Sequence, residues 1–173
     1  VEVDEPDMHD PSGDLERLKK AIERDWQLEN LSIALPTPQS LQKTLRGGDW
    51  KVTVAVRDGK EIIAAWPGFK NKLYGVAIDV GSTTIAAHLC DLASGEVIGS
   101  AGCMNPQIRF GEDLMSRVSY IMMNPGGEIE LINAVRSAIN DLLADVAANA
   151  ELDIDDLVEL TIAGNPIMLH LVL

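Results

Sequence analysis

Residues 74–91 read YGVAIDVGSTTIAAHLCD, and this stretch limits the fold more than any other. An apolar run (Gly75, Val76, Ala77, Ile78) ends in an acid, Asp79. A tight Val80-Gly81-Ser82 turn follows, and Thr83, Thr84 and Ile85 open a second β-rich run. One reading is a plain β-hairpin, with β-branched residues in the strands and glycine at the turn. A second reading is a phosphate site. An acid at a strand end can hold a hydrated Mg²⁺, and a glycine beside small hydroxyl residues lets backbone amides approach phosphate oxygens.

Charge narrows the ligand classes. Residues 1–72 carry 13 acids and 11 bases, net −2, whereas residues 73–173 carry 14 acids and 3 bases, net −11, with no lysine. Nucleic acid is disfavoured as a partner, because its binding depends on Lys and Arg neutralising phosphates. A nucleotide bound here has to be neutralised by backbone amides and a metal ion, or by residues outside this chain. Cys90 and Cys103 are too few for a disulfide scaffold or a four-thiolate centre and read as buried free thiols. His9, His88 and His170 are scattered, which speaks against a zinc site. No apolar run approaches the ~20 residues of a membrane span. No basic-then-apolar leader opens the chain, so no membrane contact and a cytoplasmic location are expected.

Residues 1–13 are acidic, contain two prolines and read as an extended linker or tail. In residues 14–27, Leu15, Leu18, Ile22 and Trp26 recur at helical spacing, with Ser12 or Asp14 as cap. A short strand is expected before Pro36. A helix follows over residues 39–45, entered through Thr37-Pro38 and stopped at Gly47-Gly48. Trp50, Val52, Val54 and Val56 alternate on one face, and Asp58-Gly59 turns the chain into a returning strand. Residues 14–72 therefore form a small α+β domain, a packing or docking module by its residues. The composition break at residues 67–72 marks the boundary.

Beyond it, strands are expected at 74–79, 84–91 and 97–103. Helices follow at 112–123, with Leu114, Val118, Ile121 and Met122 inward, and at 128–149. Leu157 to Ala163 suit a buried parallel strand. A last helix runs from Ile167 to Leu173, and the chain stops inside it, so a fragment of a longer protein is expected. Met104, Met115, Met122 and Met123 read as core filler.

The order β-β-β-α-α-β-α is the beginning of a ribonuclease-H-like fold. In that fold the first and fourth strands lie side by side at the sheet centre. Asp79 would then meet Gly164-Asn165 at one edge, where open α/β sheets collect ligands. A nuclease of this fold needs an acid at the fourth strand's end, and Ala163-Gly164-Asn165 offers none. Asp79-Val80-Gly81-Ser82-Thr83 instead resembles the phosphate hairpin of the actin, sugar kinase and chaperone ATPases.

Three stretches together resemble the reductive activators of corrinoid proteins: AIDVGSTTIAAHLCDLASGEVI, NPQIRFGEDLMSRVSYI and LTIAGNPIMLHLVL. The likeness covers residues 74–173 well and residues 14–66, similar to the family's middle domain, more loosely. It implies an ATP- and Mg²⁺-dependent ATPase domain, truncated here over residues 73–173. It also implies a [2Fe-2S] ferredoxin domain absent from this chain, and a corrinoid iron–sulfur protein as partner, returned from Co(II) to Co(I). The alternatives are a non-catalytic partner-binding or dimerisation module, homodimer included, and a small-molecule kinase of the same fold.

On these readings Asp79 orients Mg²⁺ through water, and Gly81, Ser82, Thr83 and Thr84 offer donors to phosphates. Gly164 and Asn165 share that edge, where Asn165 contacts phosphate or water, or else caps a turn. Gln107 and Arg109 follow the third strand. Arg109 contacts phosphate or pairs with Asp113.

Overall fold

The computed structural model describes residues 1–35 and 37–172. Pro36 and Leu173, where the first strand and the last helix were expected to end, lie outside the described residues. The chain is mixed α/β, with five α-helices and two sheets among the described residues. It divides into two compact units, Val1–Asn71 and Lys72–Leu173. Among the described residues no helix is long and apolar enough to cross a membrane.

The first unit contains α1 (Asp14–Trp26), β1 (Ser32–Ile33), α2 (Thr37–Gly47), β2 (Val52–Arg57) and β3 (Glu61–Pro67). The sheet order is β1-β3-β2, with β1 parallel to β3 and β2 antiparallel to it. Asp58 (φ 51°) and Gly59 (φ 65°) turn β2 into β3, the two left-handed positions that an Asp-Gly hairpin supplies. Leu18, Ile22, Leu41, Leu45, Val52 and Ile62 form the core.

Three expectations change here. Trp26, the last residue of α1, is 67% exposed. The N-cap of α1 is Gly13, without a side-chain cap, rather than Ser12 or Asp14. The start of the acidic segment is no free linker. Val3 is buried in the core, its amide donates to the Trp50 carbonyl, and Glu2 bridges Lys51. The buried Arg17 holds the carbonyls of Glu5, Asp10 and Ser12, which folds the acidic residues back onto α1.

The second unit runs β4 (Tyr74–Val80), β5 (Thr84–Asp91), β6 (Val97–Met104), a 3-10 turn (Pro106–Phe110), α3 (Leu114–Met123), α4 (Gly127–Asn149), β7 (Leu157–Gly164) and α5 (Pro166–His170). Its sheet order is β6-β5-β4-β7, antiparallel throughout except for the parallel β4–β7 pair. Val76, Ile78, Ile85, Ala87 and Leu89 face one side, where α4 covers them with Val135, Ile139, Leu142 and Val146. The period-2 alternation puts Ala77, Asp79, Thr84 and His88 on the other face, and all four are exposed.

β7 is the outermost strand here, and Leu160 is 41% exposed, so it is not the buried strand its composition suggests. Met104, Met115, Met122 and Met123 are all more than two-thirds exposed, so none fills the core. α3 is apolar nearly all round, and a ten-residue helix can bury only one side. The buried position on that helix is instead occupied by a charged residue, Arg117.

Candidate functional site

β4 carries Asp79 at its C-terminal end, on the exposed face of the sheet. The register pairs Asp79 with Ala163 and Val80 with Gly164, so the two parallel strands finish side by side. A Cβ placed on Gly164 would lie 3.0 Å from the Val80 carbonyl oxygen. The strand ends therefore approach closely, and glycine is the residue that permits it. Across the antiparallel pair, Asp79 faces Ala86, while Gly81 and Thr84 close the hairpin through the Gly81 amide and the Thr84 carbonyl, at 3.0 Å. A Cβ on Gly81 would meet that carbonyl oxygen at 2.7 Å, so the turn has no room for a side chain there.

The turn is pinned from its inner side. The Asn105 side-chain amide donates to the Gly81 carbonyl at 2.8 Å, the Arg117 Nη2 donates to the Ser82 carbonyl, and the Asn105 amide donates to the Thr83 carbonyl at 2.8 Å. A trans peptide unit points its C=O and N–H in opposite directions. Fixing the Gly81 and Ser82 carbonyls inward thus turns the Ser82 and Thr83 amides outward. Among the described residues neither amide donates to any acceptor. Two free amides, the hydroxyls of Ser82, Thr83 and Thr84, and one exposed carboxylate therefore gather at one end of the sheet. Such a donor set suits phosphate oxygens, and an exposed acid beside it suits a hydrated divalent cation.

Asn165 lies beside this edge. Its Oδ1 accepts from the Met168 amide at 3.0 Å and so caps α5.

Gln107 and Arg109 are not brought to the edge. Gln107 is fully buried; its Nε2 donates to the Leu131 carbonyl at 3.0 Å and its Oε1 accepts from Arg117. Its polar atoms are thus spent inside the unit. Arg109 is exposed, with its guanidinium 4.7 Å from the Phe110 ring centre. Asp113 is not its ion-pair partner; it caps α3 by accepting from the Ser116 amide at 2.7 Å.

A cleft of about 510 Å³ in this unit runs along α4 past Pro106, Arg109, Glu130, Asn133, Ser137 and Asp141. It contains none of Asp79 or residues 81–84, and two carboxylates line it. Anion chemistry therefore favours the turn over that cleft. Cys103 borders a neighbouring cleft, and burial, with Asp141 and Asp145 nearby, pushes its thiol up, away from a reactive thiolate.

Sequence reasoning missed Asn105 and Arg117. For Asn105 a signal existed, since an Asn before Pro after a strand readily caps the next turn. For Arg117 the only signal was its place beside the apolar positions of α3.

A mixed α/β unit ending in this turn defines a class, and comparison with known proteins gives it. Residues 74–173 match the family model described as "RACo middle region" and residues 1–72 the one described as "RACo linker region". The chain belongs to this family, the reductive activators of corrinoid proteins. Over 101 residues it is 31% identical to a protein of Eubacterium limosum named corrinoid activation enzyme RamQ, covering 58% of this chain and 17% of that protein. A solved structure titled reductive activator for corrinoid, iron-sulfur protein superposes with a TM-score of 0.77 at 34% identity, covering 99% of this chain and 28% of that one. The chain thus spans well under a third of the relatives it matches. The family's name "middle" falls on residues 74–173, and the small α+β unit, to which the sequence resemblance gave that name, is the family's linker region.

Proposed function

We propose that this chain is the part of an ATP-dependent corrinoid activator that grips the metal-bound phosphates. On this reading the second unit is the first part of a ribonuclease-H-like domain of the actin and sugar kinase type. The order β6-β5-β4-β7 with a single parallel pair supports it. One observation carries the functional reading: the outward Ser82 and Thr83 amides and the exposed Asp79 share the edge formed by β4 and β7.

Each residue then has a task. The Ser82 and Thr83 amides and the nearby hydroxyls bind phosphate oxygens. Asp79 accepts from the water shell of Mg²⁺. Gly164 keeps the neighbouring strand end low enough for a phosphate to approach. With net charge −11 in residues 73–173, no surplus of lysine or arginine neutralises the anion, so fixed amides and the metal do so. Mg²⁺–ATP supplies the free energy for an electron transfer that is otherwise uphill. The residues present do not fit the [2Fe-2S] cluster. A cluster takes four thiolates, and Cys90 and Cys103 are two free thiols on neighbouring strands that are not in register with each other. Any such cluster would need ligands beyond the two cysteines of this chain.

Asp79→Asn in the full-length activator tests the reading. ATP hydrolysis should fall about a hundred-fold, the scale of removing one transition-state stabiliser. The thermal midpoint should not move, because the carboxylate is exposed. Unchanged turnover rejects the assignment. The exposed Met104, Met115, Met122 and Met123 favour a second reading, a contact surface for another protein or copy. That reading leaves the Asp79→Asn activator fully active.

A further inference from the structure

Arg117 is the most deeply buried charged side chain among the described residues, at 0% exposure. Burying a guanidinium is costly unless charge and donors are both matched. Its donors are matched: Nε donates to the Gly111 carbonyl at 3.0 Å, Nη2 to the Ser82 carbonyl, and Nη1 faces Gln107 Oε1 and Met168 Sδ, each at 3.5 Å. Its charge is not. All four partners are neutral, and among the described residues no carboxylate forms an ion pair with it. Burial lowers its pKa, and the nearest acid, Asp113, only partly offsets this. The guanidinium nevertheless stays charged, since arginine does not deprotonate in proteins.

The site is built for that side chain. Gly111 has no room for a Cβ, which would fall 2.7 Å from the Arg117 amide nitrogen. Gln107 extends the network to the Leu131 carbonyl in α4 and, at 3.5 Å, to the Leu171 carbonyl after α5. The network therefore connects the turn after β4 to three helices.

We propose that Arg117 is a positioning residue for the phosphate turn, and that its unpaired charge makes the turn favour a metal-bound polyphosphate. This rests on the phosphate reading above and deepens it. The Ser82–Thr83 peptide group is the link. Arg117 holds its oxygen, and its N–H points outward to the ligand. A peptide group bonded to a cation at its oxygen is polarised, which strengthens its N–H as a donor. The Gly81–Ser82 peptide, held by Asn105, is the neutral counterpart. An anion on the outward amides in turn supplies the countercharge that the guanidinium lacks. Arg117 touches neither phosphate nor metal.

The test uses the full-length activator and Mg²⁺–ATP, measured by calorimetry. Arg117→Lys keeps the charge but cannot reach its neutral acceptors as a fork. Its dissociation constant should rise about ten-fold, the scale of one charge-assisted hydrogen bond. A merely structural role would instead lower the stoichiometry, through a misfolded fraction, and leave the dissociation constant alone. That outcome overturns the proposal while wild-type binding keeps the phosphate reading intact. If the wild type does not bind Mg²⁺–ATP, the phosphate reading fails and the proposal fails with it. Where Arg117→Lys does not fold, hydrogen exchange on the wild type decides. Mg²⁺–ATP should slow exchange in residues 81–84 and in α3 together, and protection of the turn with α3 unchanged overturns the proposal.

Discussion

Two arginines are almost entirely buried, Arg17 in the first unit and Arg117 in the second. Both spend their donors on loop carbonyls. Arg17 takes those of Glu5, Asp10 and Ser12; Arg117 takes those of Ser82 and Gly111. They differ in countercharge. Arg17 has the Asp10 carboxylate at 3.2 Å, whereas Arg117 hydrogen-bonds only neutral groups and feels the charge of Asp113 without forming an ion pair with it. Arg17 is thus a finished fastening that closes an acidic segment onto α1. Arg117 is a fastening whose charge is left open, directly behind a turn with two free amides. The contrast separates a buried cation that has its countercharge from one that lacks it.

Removing each cation should break the comparison unequally. Arg117→Met strands Gln107 Oε1 in a fully buried site and leaves the part-buried Ser82 and Gly111 carbonyls without their donor. At 1–3 kcal/mol per buried orphan, reduced by release of the buried charge, a loss of about 3 kcal/mol is expected. Arg17→Met exposes its carbonyls near the surface, where water replaces the guanidinium, so about 1.5 kcal/mol is expected. The probes separate the units. Trp26, Trp50 and Trp66 all lie in the first unit, so tryptophan fluorescence follows that unit in urea. Far-UV circular dichroism follows α3 and α4 as well. Arg17→Met should lower the fluorescence midpoint, and Arg117→Met only the dichroism midpoint. Equal shifts for the two variants would erase the distinction drawn between them.

The same contrast explains what the sequence disclosed. The strand and helix order, the Asp58-Gly59 hairpin and the Asp79 turn were legible, because glycine, β-branching and apolar period are local signals. Arg117 was not legible. Helical periodicity ranks an arginine as a solvent residue, and only the tertiary meeting of Gly111, Gln107 and the turn gives it partners. The burial of Gln107 was hidden for the same reason: a polar residue near an expected site reads as exposed until its tertiary partners are known. The four exposed methionines erred in the other direction. Apolar character alone does not say which side of a short, nearly all-apolar helix is covered. Val3 was missed because it stands between two acids, Glu2 and Asp4, while its pairing partner, Trp50, is distant in sequence.

Acid offers the gentlest way to sharpen the comparison, because it turns Arg17 into the situation of Arg117. The Asp10 carboxyl lies below its ordinary value, chiefly because the Ser12 hydroxyl and amide donate to it, with Arg17 and Lys20 adding attraction. A carboxyl lowered in the folded state contributes stability above its unfolded value of about 3.9 and loses it as pH falls through the lower folded value. Below about pH 4 the first unit should therefore weaken, as Arg17 keeps its carbonyls and loses its countercharge. Asp10→Asn imposes that state at neutral pH. Its fluorescence midpoint should be slightly lower at pH 7 and flatter between about pH 5 and 3 than that of the wild type. The flattening is partial, because Asp25 in the first unit is also lowered, by the Arg24 side chain, as is Asp113 in the second, by the Ser116 amide, and both titrate in the same direction. A fluorescence profile for Asp10→Asn parallel to the wild type would show that Arg17 gains nothing from its carboxylate. The two arginines would then be alike, and the open charge of Arg117 would lose its significance.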